Sequence, residues 1–347
     1  MESARDGVRD VRCDDPAKVV FELPAQAIEW TCTSGGSQGE DYARLRAMLL
    51  RDVPEIPPIY LYDDTGSALF EEITTLPEYY QTRTELGILG RCAAEVVAMA
   101  RPERIVELGS GAGRKIRLLL DAWRTTGTAG SCTMFDVNAC FIDASIRALG
   151  ADYPEVEFRG VIGDFTRDLA RLGAGGDRLV VFFGGTVGNL HPDERVRFFR
   201  ELAAQMAASD TLLIGVDLVK DRARLEAAYN DSAGVTAAFN RRSLHGLNRR
   251  FGADFDPEAF AHRAFYDERN AWIEMRLVAT RPMVVKVPAL DLRLEFARGD
   301  EIRTEVSCKF TRASLAAAAA GLSITGWYTD PSELFALALM RKEGPSC

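Results

Sequence analysis

From Arg104 onward, short apolar runs alternate with longer stretches whose apolar residues recur every three to four positions. RIVELG, CTMFDV, VEFRGVIGD, LVVFFGG and TLLIGVDL have the length and composition of strands, and between them KIRLLLDAW and DERVRFFRELAAQM have helical spacing. A strand–helix alternation predicts an α/β fold with a mostly parallel sheet covered on both faces. Upstream, DYARLRAMLLRD predicts a helix, and LYDDTGSALFEEITTLPEYYQTRTELGILGRCAAEVVAM predicts a turn, a helix and a longer helix. The alternation stops after Asp217. Residues 220 to about 261 carry a helical pattern, and AWIEMRLVATRPMVVKVPALDLRLEF then reads as consecutive strands without helices between them. FTRASLAAAAAGL is helical again, and SITGWYTD and FALALMRK form a closing pair of strands around a DPS turn. Residues 218–309 are thus expected to interrupt a core that resumes near Phe310. Residues 1–40 are polar, contain TSGGSQG and show no sustained period, which predicts a flexible N-terminal extension.

With 347 residues, 47% of them hydrophobic, the chain can bury a substantial core. The net charge of −9 and the scattered basic residues give no footprint for nucleic acid. The first ten residues are charged and no apolar stretch approaches 18 residues, so neither a secretory signal nor a membrane span is expected, and a cytoplasmic address follows. Seven dispersed cysteines in a chain this long predict free thiols. His191, His245 and His262 have no ligand spacing, and no metal is expected.

The candidate chemistry begins at IVELGSGAGRK. A strand that runs through glycines into a helix leaves N–H groups unpaired and lets a nucleotide approach the backbone. The dinucleotide fingerprint needs a third glycine where Arg114 stands. What remains is Glu107, Gly109, Gly111 and Gly113, the E-x-G-x-G-x-G pattern of class I methyltransferases that use S-adenosylmethionine. Asp136 ends the next strand, 27 positions beyond Gly109, where a carboxylate can accept ribose hydroxyls. Asp164 and Phe165 close the third strand, placed to meet an adenine amino group and ring.

Longer motifs carry a closer likeness: YDDTGSALFEEITTLPEYYQTRTE, ELGSGAGRK, GGTVGNL, DLVKD, AYNDSAGVTAAFNR, IEM and TEVSCKF, spread over about residues 58–342. On these the chain resembles the histidine Nα-methyltransferases of ergothioneine biosynthesis, which convert L-histidine to its trimethylated betaine, hercynine. The resemblance implies a discontinuous methyltransferase domain (84–217 and 310–344) and a substrate-binding domain (41–83 and 218–309). It implies cofactor contacts at Tyr62, Gly109, Gly111, Lys115, Asp136, Asp164 and Phe165. The implied histidine contacts are Tyr79, Asn189, Tyr229, Met275, Glu305 and Ser307, with Tyr62 and Asn189 closest to the reaction. Gly185 departs from the family's usual serine.

The residue types suit those roles. Methyl transfer from a sulfonium needs a neutral amine aligned with methyl and sulfur rather than an acid. Tyr62 is a candidate to hold or relay the amine's proton. Asn189 and Tyr229 can read the α-carboxylate and amine, while Glu305 and Ser307, two apart on a strand, share a face and can meet two imidazole nitrogens. Another amino-acid substrate (a tryptophan derivative or arginine) and a non-catalytic cofactor-binding scaffold are the alternatives. The expected partner is a small molecule, and a monomer is favoured over an oligomer.

Overall fold

A computed structural model of the chain describes residues 18–22, 27–31, 38–127 and 130–344. Its largest sheet is built from β1 (Lys18–Glu22), β2 (Ala27–Thr31), β3 (Arg104–Leu108), β4 (Ser131–Asp136), β5 (Glu157–Ile162), β6 (Arg178–Phe182), β7 (Thr211–Asp217), β13 (Leu322–Thr329) and β14 (Phe335–Lys342). The order is β1-β2-β5-β4-β3-β6-β7-β14-β13. β2 through β7 pair in parallel, and β14 and β13 close the sheet as an antiparallel hairpin beside β7. The seven strands expected of the α/β core are all present.

The expected loose extension needs a correction. Residues 18–31 contain two strands, and β2 adds in parallel to the edge of β5. An edge strand offers unpaired backbone groups to any extended segment, so pairing here needs no apolar periodicity in the arm. The rest of residues 1–37 lies outside the described residues.

Alternate side chains of each strand enter opposite layers. Ile105, Cys132 and Met134 pack under α3 (Gln81–Ala100), α4 (Ile116–Arg124) and α5 (Ala139–Asp152). Val106, Leu108 and Phe135 instead face α6 (Pro192–Gln205) and α9 (Arg312–Ala318). The α4 helix buries Ile116, Leu119, Leu120 and Trp123, the stripe that KIRLLLDAW encodes. Chain order runs one way from β3 through β4 to β5 and the other way from β6 to β7, so the carboxyl ends of β3 and β6 open a crevice at the switch between them.

The segments before α3 and after β7 build two further cores together. Leu45, Leu49 and Ile56, from α1 (Gln38–Leu49) and the loop after it, pack on α8 (Val235–Phe251) and on β10 (Met283–Val287) and β11 (Leu292–Phe296). Leu61, Tyr79 and Tyr80, on either side of α2 (Asp64–Ile73), pack with Leu225 of α7 (Arg222–Ala227), Phe239, and Ile273 and Met275 of a three-stranded sheet. That sheet has the order β12-β9-β8, from β8 (Phe260–Asp267), β9 (Trp272–Ala279) and β12 (Glu301–Cys308). β8 begins inside the stretch expected to be helical: it is an edge strand, only its alternate positions are well buried, and Ala261 and Ala264 weaken the period-two signal. Between β7 and α9 the chain returns to the large sheet through a bridge of Leu218 to Phe310.

Candidate active site

The loop after β3 uses its glycines for conformation. Gly109, Gly111 and Gly113 have φ of 66°, 49° and 64°, and a side chain at Gly111 would enter open space rather than protein. The Gly111 N–H donates to Asp136 Oδ2 at 3.0 Å, and the Asn138 N–H donates to Oδ1 at 3.0 Å. Burial raises the Asp136 pKa, and these backbone donors oppose the shift. Asp164 Oδ1 accepts the N–H and hydroxyl of Thr166 at 2.8 and 2.6 Å, and the Phe165 ring stands edge-on to Phe182 at 4.9 Å. Gly109, Gly111, Lys115, Asp136, Asp164 and Phe165 all line one cavity of about 310 Å³, which also reaches Tyr62, Tyr79 and Asn189.

A smaller cavity joins it through Tyr62, Phe70, Tyr79, Gly184, Thr186 and Asn189. Beyond that junction lie Tyr229, Met275, Glu305 and Ser307. The two spaces thus bring together every residue expected of the site. Asn189 arrives on the short 3-10 turn Thr186–Asn189 that follows β6, Tyr229 on the turn after α7, and Met275 on β9 directly opposite Glu305 of β12. Tyr62, capping the turn Pro58–Leu61, sits edge-on to Phe70 and Phe239 at 5.8 and 5.5 Å. Burial, reinforced by Glu305 and Asp136, holds its phenol well above the ordinary tyrosine pKa. It stays protonated at neutral pH, so it donates or accepts hydrogen bonds but does not act as a base. Burial likewise pushes Glu305 up to about 7, with Lys309 opposing the shift.

Of two buried charge clusters, Lys115 and Glu107 were named from the sequence, but Glu85, which pairs with Lys115, and the charges around Asp217 were not. Lys115 Nζ lies 2.6 Å from Glu85, which is fully buried on α3 and also accepts the Gly184 N–H. Glu107 of β3 lines the larger cavity, and among the described residues its Oε2 is buried without a hydrogen-bond partner. Burial raises its pKa well above the usual carboxylate range, with Lys115 pulling the other way. The second cluster surrounds Asp217, at the end of β7. It accepts from Tyr80 Oη at 2.9 Å and Lys309 Nζ at 3.0 Å, and it pairs with Lys220. The available signal was a charge closing an apolar run, in TLLIGVD and in TEVSCKF.

Residues 42–342 match the family described as histidine-specific methyltransferase, SAM-dependent. The chain belongs to that family. It is 48% identical over 297 residues to the histidine N-alpha-methyltransferase of Mycolicibacterium smegmatis, covering 85% of this chain and 92% of that protein. The protein of the same name from Mycobacterium tuberculosis is 46% identical, with 88% and 97% covered. Ergothioneine biosynthesis protein 1 of Schizosaccharomyces pombe is 30% identical over 62% of this chain but only 29% of its own length.

Family membership makes the chain an S-adenosylmethionine-dependent enzyme with a small-molecule substrate. The larger cavity fits that cofactor chemically. Gly109 and Gly111 leave the backbone bare, Asp136 and Asp164 offer carboxylate oxygens, and the orphaned Glu107 oxygen can take a donor from an ammonium group. No helix among the described residues is long and apolar enough to cross a membrane.

Proposed function

We propose that this chain transfers methyl groups from S-adenosylmethionine to the α-amine of L-histidine, ending at the trimethylated betaine hercynine. The observation that carries the reading is the small cavity itself: one carboxylate and one hydroxyl on the same face of β12, Glu305 and Ser307, lining a space that joins the larger cavity of the glycine loop. An imidazole has the matching pair of nitrogens. In this reading residues 84–217 and 310–344 hold the cofactor, and residues 41–83 and 218–309 hold the amino acid.

The cofactor supplies a methyl group on a sulfonium, whose departure as a thioether needs no acid. Gly109, Gly111, Asp136, Asp164 and Phe165 hold its nucleoside, and Lys115, bound to Glu85, balances the carboxylates beneath its amino-acid end. Glu305 and Ser307 take the imidazole, Met275 and Tyr79 wall the ring, and Tyr229 keeps Ser307 in place. Asn189 accepts from the amine and donates to the carboxylate at the junction. Tyr62, protonated throughout, lends its oxygen to the amine's N–H while the excess proton leaves to solvent. The contacts to the ring and the carboxylate do not use the amine's N–H groups, so the substrate stays anchored as methylation removes them one by one, and the same pocket serves all three transfers.

The test is mass spectrometry of a mixture of free amino acids incubated with the enzyme and S-adenosylmethionine. Mass gains of up to three methyl groups on histidine are expected. A different methylated amino acid, or a histidine product that stops at one methyl with cofactor in excess, would overturn the respective part of the proposal.

A further inference from the structure

Lys309 follows the strand that carries Glu305 and Ser307, and its side chain is fully enclosed. All three hydrogens of its ammonium group have acceptors: Asp217 Oδ2 at 3.0 Å, Tyr229 Oη at 3.0 Å and Ser307 Oγ at 2.8 Å. Burial alone would lower its pKa, but Asp217 and Tyr229 outweigh burial and raise it, so the group is a cation under all working conditions. Tyr229 in turn donates its hydroxyl to Ser307 Oγ at 2.7 Å. The phenol is the stronger acid of the two hydroxyls, and its oxygen already accepts from Lys309, so its hydrogen is committed to Ser307.

The consequence falls on Ser307. Both lone pairs of its oxygen are occupied, one by the Lys309 N–H and one by the Tyr229 O–H. Its own hydrogen is the only hydrogen-bonding capacity left to offer the cavity. We propose that Lys309 is a positioning residue that fixes the polarity of substrate recognition: it makes Ser307 an obligate donor beside Glu305, an acceptor, so that the pocket selects a ring presenting one N–H and one bare nitrogen. The proposal rests on the histidine reading above and adds to it the reason why Ser307 cannot simply turn around to accommodate another ring. Asp217, held from its other side by Tyr80 and Lys220, anchors Lys309 to the end of β7. The ring-reading pair is thereby tied to the sheet that carries the cofactor loop.

The experiment is a double-mutant cycle of Lys309→Met and Ser307→Ala, with histidine and phenylalanine as substrates and S-adenosylmethionine binding as control. Lys309→Met is expected to lower kcat/KM for histidine by about 30- to 300-fold, mostly through KM, and to cut the preference for histidine over phenylalanine at least about tenfold. Cofactor affinity should stay within about threefold. The double variant should be little worse than either single one, because both remove the same interaction. Losses that multiply, or a fall in kcat and cofactor affinity with the preference intact, would reduce Lys309 to a structural charge and overturn the proposal. Should Lys309→Met fail to fold, Tyr229→Phe decides: it removes the other donor to Ser307 while leaving the Lys309 ammonium paired with Asp217, and an unchanged preference would overturn the proposal equally. A wild-type enzyme that does not methylate histidine would instead sink the substrate reading, a result separable from all of these.

Discussion

Lys115 Nζ stands 2.6 Å from the Glu85 carboxylate, and that carboxylate also receives the N–H of Gly184. The start of α4, the second turn of α3 and the loop after β6 therefore meet at one buried charge beside the cavity. Lys115→Met leaves Glu85 without its counter-ion, and Glu107 loses the cation that opposes its upward shift. The expected loss of stability is about 3–5 kcal/mol in urea unfolding. Adding Glu85→Gln keeps an acceptor for Gly184 and removes the orphaned charge, so the double variant should recover a large part of the loss. Equal stability of the single and double variants would contradict the pairing.

Asp136 offers its carboxylate to the larger cavity while holding the Gly111 and Asn138 N–H groups. Asp136→Ala is expected to weaken S-adenosylmethionine binding by about 1.5–3 kcal/mol, as the charged acceptor for the ribose goes and the glycine loop loses its brace. Calorimetry with unchanged affinity would remove Asp136 from the cofactor site.

Glu305 should govern selectivity. Its replacement by alanine strips the partner of the imidazole N–H and is expected to cost histidine about 2–4 kcal/mol in kcat/KM. An aromatic amino acid without that N–H gains from losing a buried carboxylate beside its ring, so the relative rates for phenylalanine and tryptophan should rise. A competition assay reads this directly. An equal loss for all three substrates would assign Glu305 to the fold instead.

The same residue gives the ligand-free protein a pH dependence. Burial lifts Glu305 from the ordinary glutamate value of 4.5 to about 7. A carboxyl group whose folded pKa is raised favours the fold while protonated. That contribution is complete below about pH 4.5 and is lost as the pH rises through about 7. Glu305→Gln stays neutral, so its stability relative to wild type should improve by about 3 kcal/mol between pH 5 and pH 8. Denaturant titrations at the two pH values check this, and a difference that does not change with pH would count against burial as the cause.

The alternation of apolar runs and helical spacing was enough to predict the five parallel strands, the closing hairpin and the interruption after Asp217, because each signal is local: a period of two or 3.6 residues, or a glycine forced into a left-handed turn. The motifs that resemble the family pointed to all thirteen residues that now line the two cavities. Pairings between distant segments were not legible in that way. The strand at residues 27–31 has no strong period of its own and exists as an addition to the edge of β5. The expected cofactor contact Lys115 lines the larger cavity, but its pairing with Glu85, thirty positions earlier, left no trace in the sequence pattern. Lys309 stands in TEVSCKF with nothing in the local pattern to single it out. Only the tertiary structure encloses it and brings Asp217, Tyr229 and Ser307 within reach of its three hydrogens. A sequence specifies which groups a chain owns and how neighbours alternate. Which lone pairs are already taken depends on groups that folding brings together from far apart in the chain, and for Ser307 that decides whether it can give or receive a hydrogen bond.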